Sequence, residues 1–254
     1  MENEYVAIVD YYDNLPAGEY RNFTRMANAL HGILGSRRKI LDIGIGTGLM
    51  AEQLLKLGDY EITGVDFSPR MLRIAQQRLA GKGVTLHCQD VARFETEERY
   101  DAIISTGGAI YIVEEEKEYR LYSHLTTQEA NLRLLRKLHT QLQPDGVLAL
   151  GIEGPHTNDK QPMDGGILYE QRVKRYPAHL DKWHTFSRGW GPALAEQFCR
   201  FHFWHGMKTM TELNGAGFTL ASPHREGHFL VLDRMAASHP LLYNSIPIYE
   251  YAEG

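Results

Sequence analysis

The sequence predicts an α/β fold: a seven-stranded, mostly parallel, doubly wound sheet, with an antiparallel C-terminal edge hairpin and an inserted aromatic-rich cap. Three observations carry this. Short apolar runs alternate with helical periodicity from residue 39 to residue 152, the pattern of a parallel sheet covered on both faces. The run K-I-L-D-I-G-I-G-T-G-L-M-A at Lys39–Ala51 joins a strand to a helix through glycines at every second position. Residues 153–206 break the alternation and hold all three tryptophans, Trp183, Trp190 and Trp204.

Taken in order, residues 5–20 are tyrosine-rich. Phe23, Met26, Ala27, Leu30, Ile33 and Leu34 then recur at helical spacing, and Gly35 stops that helix. Residues 40–43 form the first strand, with Asp42 and Gly44 at its end. Gly46 and Gly48 follow, and an amphipathic helix begins at Leu49. Glycines permit a sharp turn and close approach of a ligand, and a helix N-terminus offers unpaired N–H groups. Residues 61–66 form the second strand, ending in Asp66, 24 residues past Asp42. An acid at about that distance suits a ribose diol. Ser68-Pro69 reads as the N-cap and first position of the next helix, whose inner face is Met71, Leu72, Ala75 and Leu79.

Residues 84–90 read as the third strand, ending in Asp90. Residues 100–105 are the fourth, leading through Ser105 into Thr106-Gly107-Gly108-Ala109-Ile110-Tyr111. Glu114, Glu115, Glu116 and Glu118 read as a solvated helix face. Gln128–Leu142 is helical and runs through Pro144-Asp145-Gly146 into a fifth strand, 147–152. Met210, Leu213 and Ala216 mark the last helix, between two final strands at 218–220 and 228–232 and the cap. The expected organisation is a core of 1–152 and 207–237 with an N-terminal helical lid, a substrate cap at 153–206 and a tail at 238–254. The cap either roofs the site, or forms a dimer interface or a small extra core.

Composition narrows the function. Charged residues make 23% of the 254, the net charge is −5 and the pI about 6.2, so a nucleic-acid surface is disfavoured. No apolar run is long enough to span a membrane. The acidic start Met1-Glu2-Asn3-Glu4 lacks the basic residues of a signal peptide. Cys88 and Cys199 form no C-x-x-C motif, which fits a reducing cytoplasm. The histidines match no H-E-x-x-H or zinc-finger spacing, so no metal is expected.

The glycine loop departs from G-x-G-x-x-G and lacks G-K-[ST]. Its Asp42-x-Gly44-x-Gly46-x-Gly48 run resembles the first motif of the class I, Rossmann-like methyltransferases that use S-adenosylmethionine. The run V-D-F-S-P-R-M-L at residues 65–72 resembles their second, and L-x-P-x-G before the fifth strand is another shared feature. The resemblance covers residues 40–152. It implies that the glycine loop cradles the methionine part of the cofactor, with Asp42 suited to its ammonium group. It further implies Asp66 on the ribose, Phe67 beside the adenine, Met71 close by, and Asp90 with the Val91 N–H at the ring edge. The alternative for Asp90 is a helix or turn cap. Ser105 lies where the family faces the transferred methyl. The absence of [DN]-P-P-[YF] there argues against nucleic-acid or glutamine acceptors.

Tyr12 and Tyr20 either cover the cofactor or pack the first helix. His156, after the fifth strand, is the candidate general base, because histidine titrates near neutrality. Tyr111 is a candidate for orienting the acceptor. The expected reaction moves a methyl group to an N or O atom of a small metabolite, flat or apolar to suit the aromatic cap. The expected protein is a monomer or homodimer. Rival readings are a nicotinamide-dependent oxidoreductase and a catalytically silent binding subunit.

Overall fold

The computed structural model describes residues 7–15, 22–189 and 191–236, without the side chains of Pro223 and His224. Tyr20, Trp190 and the tail from 238 lie outside the described residues. A 3-10 helix at Val9–Asn14 precedes α1, Phe23–Leu34. Asn22 caps α1 by accepting from the Arg25 N–H at 3.0 Å, and Met26, Ala27, Leu30 and Leu34 are its buried face.

Five elements then alternate: β1 (Lys39–Ile43), α2 (Leu49–Leu54), β2 (Glu61–Asp66), α3 (Pro69–Arg78) and β3 (Thr85–Cys88). Next come β4 (Tyr100–Ser105), β5 (Ile110–Glu115), β6 (Glu118–Ser123), α4 (Gln128–Gln141) and β7 (Leu142–Glu153). The chain continues through β8 (Asp159–Met163), β9 (Ile167–Arg175), β10 (His179–Arg188) and β11 (Ala193–Trp204). It closes with α5 (Gly206–Gly215), β12 (Phe218–Glu226) and β13 (Phe229–Arg234).

The core sheet runs β3-β2-β1-β4-β7-β13-β12. Its first five strands are parallel, and β13 is antiparallel to both β7 and β12. Burial follows strand alternation. Leu41, Ile43, Ile103, Leu148 and Leu150 face Leu134, Leu135 and Leu138 of α4 and Leu213 of α5. Ile40, Ile62, Ala102, Ile104 and Ala149 face Leu30 of α1, Leu54 of α2 and Ala75 of α3. The doubly wound seven-stranded core with its antiparallel hairpin is as the sequence predicts.

Two expectations are corrected. Residues 114–118 are not a helix face but the tip of the β5–β6 hairpin. Ile110 and Ile112 pack into the main core while Tyr111 and Val113 pack into a second cluster, so both faces of β5 are buried and helical periodicity has no role. The third strand ends at Cys88, not Asp90.

Strands of the 153–206 segment do form added structure, but the sheet they join begins earlier. Past Gly151, β7 pairs in parallel with β5, and the order continues β6-β11-β10-β9-β8. Among the described residues no helix is long and apolar enough to cross a membrane.

The hairpin generates a stability prediction. Glu115 pairs with Glu118, leaving a two-residue turn of Glu116 and Lys117 with φ of 55° and 65°. Such turns favour glycine at the second position, because a Cβ is strained at positive φ. Lys117→Gly should raise unfolding free energy by about 0.5–1 kcal/mol, read by urea denaturation; a loss of stability would contradict the turn assignment.

Candidate active site

Ligand sites in open parallel sheets lie beyond the carboxyl ends of the strands. A cavity of about 410 Å³ opens there, lined by Gly44 and Gly46 after β1, Asp66 and Phe67 after β2, and Asp90 and Val91 after β3. Met71 of α3, Gly107 to Ala109 after β4, His124 after β6 and Tyr12 complete most of its wall. A cavity of about 630 Å³ lies elsewhere, among Arg38, Glu52, Tyr60 and Lys82; its lining mixes both signs of charge and touches no glycine of the loop.

Each glycine has its own reason. A Cβ on Gly44 would lie 2.6 Å from the Gly108 Cα, so the β1 and β4 loops meet backbone to backbone. A Cβ on Gly48 would lie 2.8 Å from Leu79 Cδ1, so this position serves α2–α3 packing and is not part of the cavity wall. Gly46, at φ 58°, has only the Gly44 carbonyl oxygen near an added Cβ, at 4.0 Å. It keeps open a space that a ligand can enter.

The Gly46 N–H donates to Asp66 Oδ2 at 2.9 Å and the Ser68 N–H to Asp66 Oδ1 at 2.8 Å. Burial pushes the Asp66 carboxyl up from its ordinary value, and the N–H groups of Ser68, Gly46 and Phe67 oppose this. Asp90 is exposed and its Oδ1 accepts from the Ala92 N–H at 2.8 Å, so the turn-cap and cavity readings hold together. Phe67 is 41% exposed beside the cavity, a large apolar ring available for stacking.

Asp42 lies below the wall, 1% exposed, with no hydrogen-bond partner for either carboxylate oxygen among the described residues. Burial, with the Asp66 charge adding, raises its pKa to about 7. An orphaned buried carboxylate beneath a cavity favours a cationic ligand. The chemistry of this donor set thus fits a positively charged sulfonium and ammonium compound and disfavours a pyrophosphate.

Tyr12 reaches the cavity because its neighbour Asp13 is clasped. The Thr47 hydroxyl and the Arg78 guanidinium both donate to the Asp13 carboxylate, and Arg78 also donates to the Thr47 carbonyl at 2.6 Å. On its other side the segment packs on the second sheet, with Tyr11 stacked on Phe186 at 4.7 Å. Tyr20 lies outside the described residues.

Besides Asp42 and Gly48, three further expected site residues lie off the cavity wall. Ser105 is fully buried and donates to the Ile43 carbonyl at 3.2 Å, off the cavity wall. Tyr111 and His156 do not line this cavity either: the two bond each other, Oη to Nε2, at 3.1 Å inside the second sheet's aromatic cluster. Lys182 donates to His156 Nδ1 at 3.2 Å, and burial with the Lys182 charge holds the imidazole well below its ordinary pKa. His156 is therefore neutral with both nitrogens engaged, which removes the basis for a proton-accepting role.

The residue that sequence reasoning missed is His124. It lines the cavity, packs against the Phe201 ring at 4.6 Å with the planes tilted by 55°, and its backbone N–H donates to the Ala109 carbonyl at 3.0 Å. Burial and Lys182 push it down to about 3, so it is a neutral hydrogen-bonding group across the whole physiological range. No periodicity or motif marks it. Among the described residues, no cluster of His, Cys, Asp and Glu could hold a metal.

Fold and cavity together define a Rossmann-like domain with an open cleft at the carboxyl edge of its parallel strands. Residues 40–146 match the family described as "Methyltransferase domain". Residues 40–146 thus carry a domain of the class I, S-adenosylmethionine-dependent methyltransferase kind, which sets the oxidoreductase reading aside.

A malonyl-[acyl-carrier protein] O-methyltransferase of Bacillus cereus is 41% identical over 140 residues, covering 52% of this chain and 46% of that protein. The chain spans about half the length of curated relatives of this kind. An uncharacterised methyltransferase of Oceanobacillus iheyensis is 27% identical over 192 residues, covering 72% of this chain and 82% of the relative. Among solved structures, the CcbJ methyltransferase from Streptomyces caelestis shares the fold, with TM-score 0.72 and 20% identity, over 93% of this chain and 99% of that one.

Two variants test the site. Gly46→Val should abolish S-adenosylhomocysteine binding in calorimetry while circular dichroism stays native; near-native affinity would reduce the loop to a turn. Asp42 has a folded pKa above its unfolded one, so its protonated form favours folding at low pH and that contribution is lost as pH rises from about 4 to about 7. Asp42→Asn should therefore gain stability over the parent protein, by on the order of 2 kcal/mol more at pH 8 than at pH 5. A pH-independent difference in urea unfolding would refute the raised pKa.

Proposed function

We propose that this chain transfers a methyl group from S-adenosylmethionine to an N or O atom of a small metabolite. One observation carries the reading: the glycine loop, Asp66 and Asp90 converge on a single cavity whose remaining wall includes a neutral histidine. The bound cofactor would supply an activated methyl group on a positively charged sulfur. The residues that would hold it are Gly44 and Gly46, Asp66, Phe67, Met71, Asp90 and Val91.

The protein's own work is then alignment and exclusion of water, which is proximity catalysis. Tyr12, held by the Asp13 clasp, closes one side. His124 hydrogen-bonds the acceptor and fixes which lone pair faces the methyl group. With its pKa at about 3 it is a poor base near neutrality. The acceptor must therefore lose its proton to water, or arrive as a free amine or a carboxylate. Behind His124 lies Phe201 of the second sheet, and an aromatic surrounding of this kind suits a flat or apolar acceptor.

A second reading has its own support. The Bacillus cereus relative is named for methylation of a malonyl group on an acyl carrier protein. A carboxylate acceptor also needs no protein base.

Incubation with methyl-labelled S-adenosylmethionine and a panel of amines, phenols, carboxylates and malonyl-acyl carrier protein separates these outcomes by mass spectrometry. Label in a small metabolite is expected, and His124→Ala should lower that turnover at least tenfold with cofactor affinity retained. Label only on the carrier protein selects the second reading. Cofactor binding with no labelled product across the panel would make the chain a catalytically silent binding subunit.

A further inference from the structure

The turn that would meet the purine ring is held from behind by a lysine outside the cavity wall. Lys137, on α4, donates from Nζ to the Val91 carbonyl at 2.7 Å and to the Ala92 carbonyl at 2.9 Å. The peptide between Val91 and Ala92 is thereby gripped at both ends. Its carbonyl accepts from Lys137, and its N–H donates to Asp90 Oδ1 at 2.8 Å. The Asp90 main-chain carbonyl accepts from the N–H groups of Arg93 and Phe94, each at 2.9 Å. Phe94, 4% exposed, plugs the turn into the core independently of the lysine.

The chemistry of this arrangement is directional. A hydrogen bond from a charged donor is stronger than a neutral one, and it polarises the peptide so that its N–H donates more strongly in turn. The ammonium thus reaches the Asp90 carboxylate through one peptide unit. Oδ1 is committed to the turn and Oδ2 is left for a ligand. The ammonium of half-buried Lys137 is engaged by both carbonyls. Here burial lowers its pKa while Glu95 and Asp90 oppose this.

We infer that Lys137 is a positioning residue for purine recognition: it sets the Asp90 carboxylate and the adjoining Val91 N–H at the spacing that distinguishes adenine from other purines. This rests on the reading of the cavity as an S-adenosylmethionine site. Adenine presents an amino donor next to a ring-nitrogen acceptor, which a carboxylate and an N–H complement. Hypoxanthine presents a carbonyl acceptor next to an N–H donor, the reverse pattern, and gains nothing from that pair. Loss of Lys137 leaves the Phe94 plug in place, so the turn stays folded but its selectivity falls.

Calorimetry with S-adenosylhomocysteine and S-inosylhomocysteine on the parent protein, Lys137→Met and Lys137→Arg tests this. The methionine variant should bind the adenosyl compound about tenfold more weakly and the inosyl compound with little change, so that discrimination shrinks. Lys137→Arg should restore it, because a guanidinium can donate to both carbonyls. The melting temperature of Lys137→Met should stay near that of the parent, and turnover at saturating cofactor should be unchanged while the KM for cofactor rises. Unaltered discrimination in Lys137→Met would overturn the inference. So would equal weakening of both compounds with a lowered melting temperature, the mark of a purely structural lysine. If the parent protein itself binds neither compound, the cavity reading fails first.

Discussion

One carboxylate, that of Asp66, decides whether a site exists at all. Its two oxygens receive the N–H of Gly46 from the loop after β1 and the N–H of Ser68 from the start of α3. Two loops that follow different strands are thereby locked at a fixed separation, and the cavity lies between and above them. The Gly44 and Ile45 N–H groups, both on the Val65 carbonyl at 2.7 and 3.2 Å, extend the same lock. Each carboxylate oxygen retains a second lone pair, so Asp66 can frame the loops and still accept from a ribose. On the proposed reading its two duties are coupled: removing the side chain would take away the ribose contact and loosen the cradle at once.

The lock has an electrostatic cost. Asp66 and Asp42 are both buried, and the Asp66 charge adds to the cost of charging Asp42; only Asp66 has backbone donors to offset its burial. A pair of buried like charges destabilises the empty protein. On the proposed reading of the cavity, a bound sulfonium compound would relieve part of that cost. The Asp13 clasp repeats the theme with opposite charges. Arg78 carries its own charge into the glycine loop region but spends it on Asp13 and Glu52, at 3.7 Å from the latter, and on the Thr47 carbonyl. It holds the Tyr12 segment down without adding an unmatched positive charge beside the cation site.

Much of this was legible in the sequence, because the core is built from local rules. Strand 40–43, the glycine run and the Ser68-Pro69 cap each carry a chemical signature within a few residues, and the structure puts Gly44, Gly46, Asp66, Phe67, Met71, Asp90 and Val91 on one wall. What failed needed contacts distant in sequence. The β5–β6 turn uses Glu116 and Lys117 where a glycine or asparagine would have announced it. Tyr111 and His156 looked placed for catalysis by position alone, yet they satisfy each other across 45 residues. His124 and Lys137 act through partners on other elements, Phe201 and Lys182 for one and the Val91 turn for the other. No spacing rule encodes such pairs.

The central claim is that the ligand sits at the carboxyl edge, between the loops locked by Asp66, and not in the larger cavity near Tyr60. Amide hydrogen exchange with and without saturating S-adenosylhomocysteine tests it most directly. Ligand-induced protection is expected over residues 44–48, 65–71 and 89–94, with residues 52–61 unchanged. Protection confined to 52–61 and to the neighbourhood of Arg38 and Lys82, with the glycine loop exchanging as before, would contradict it.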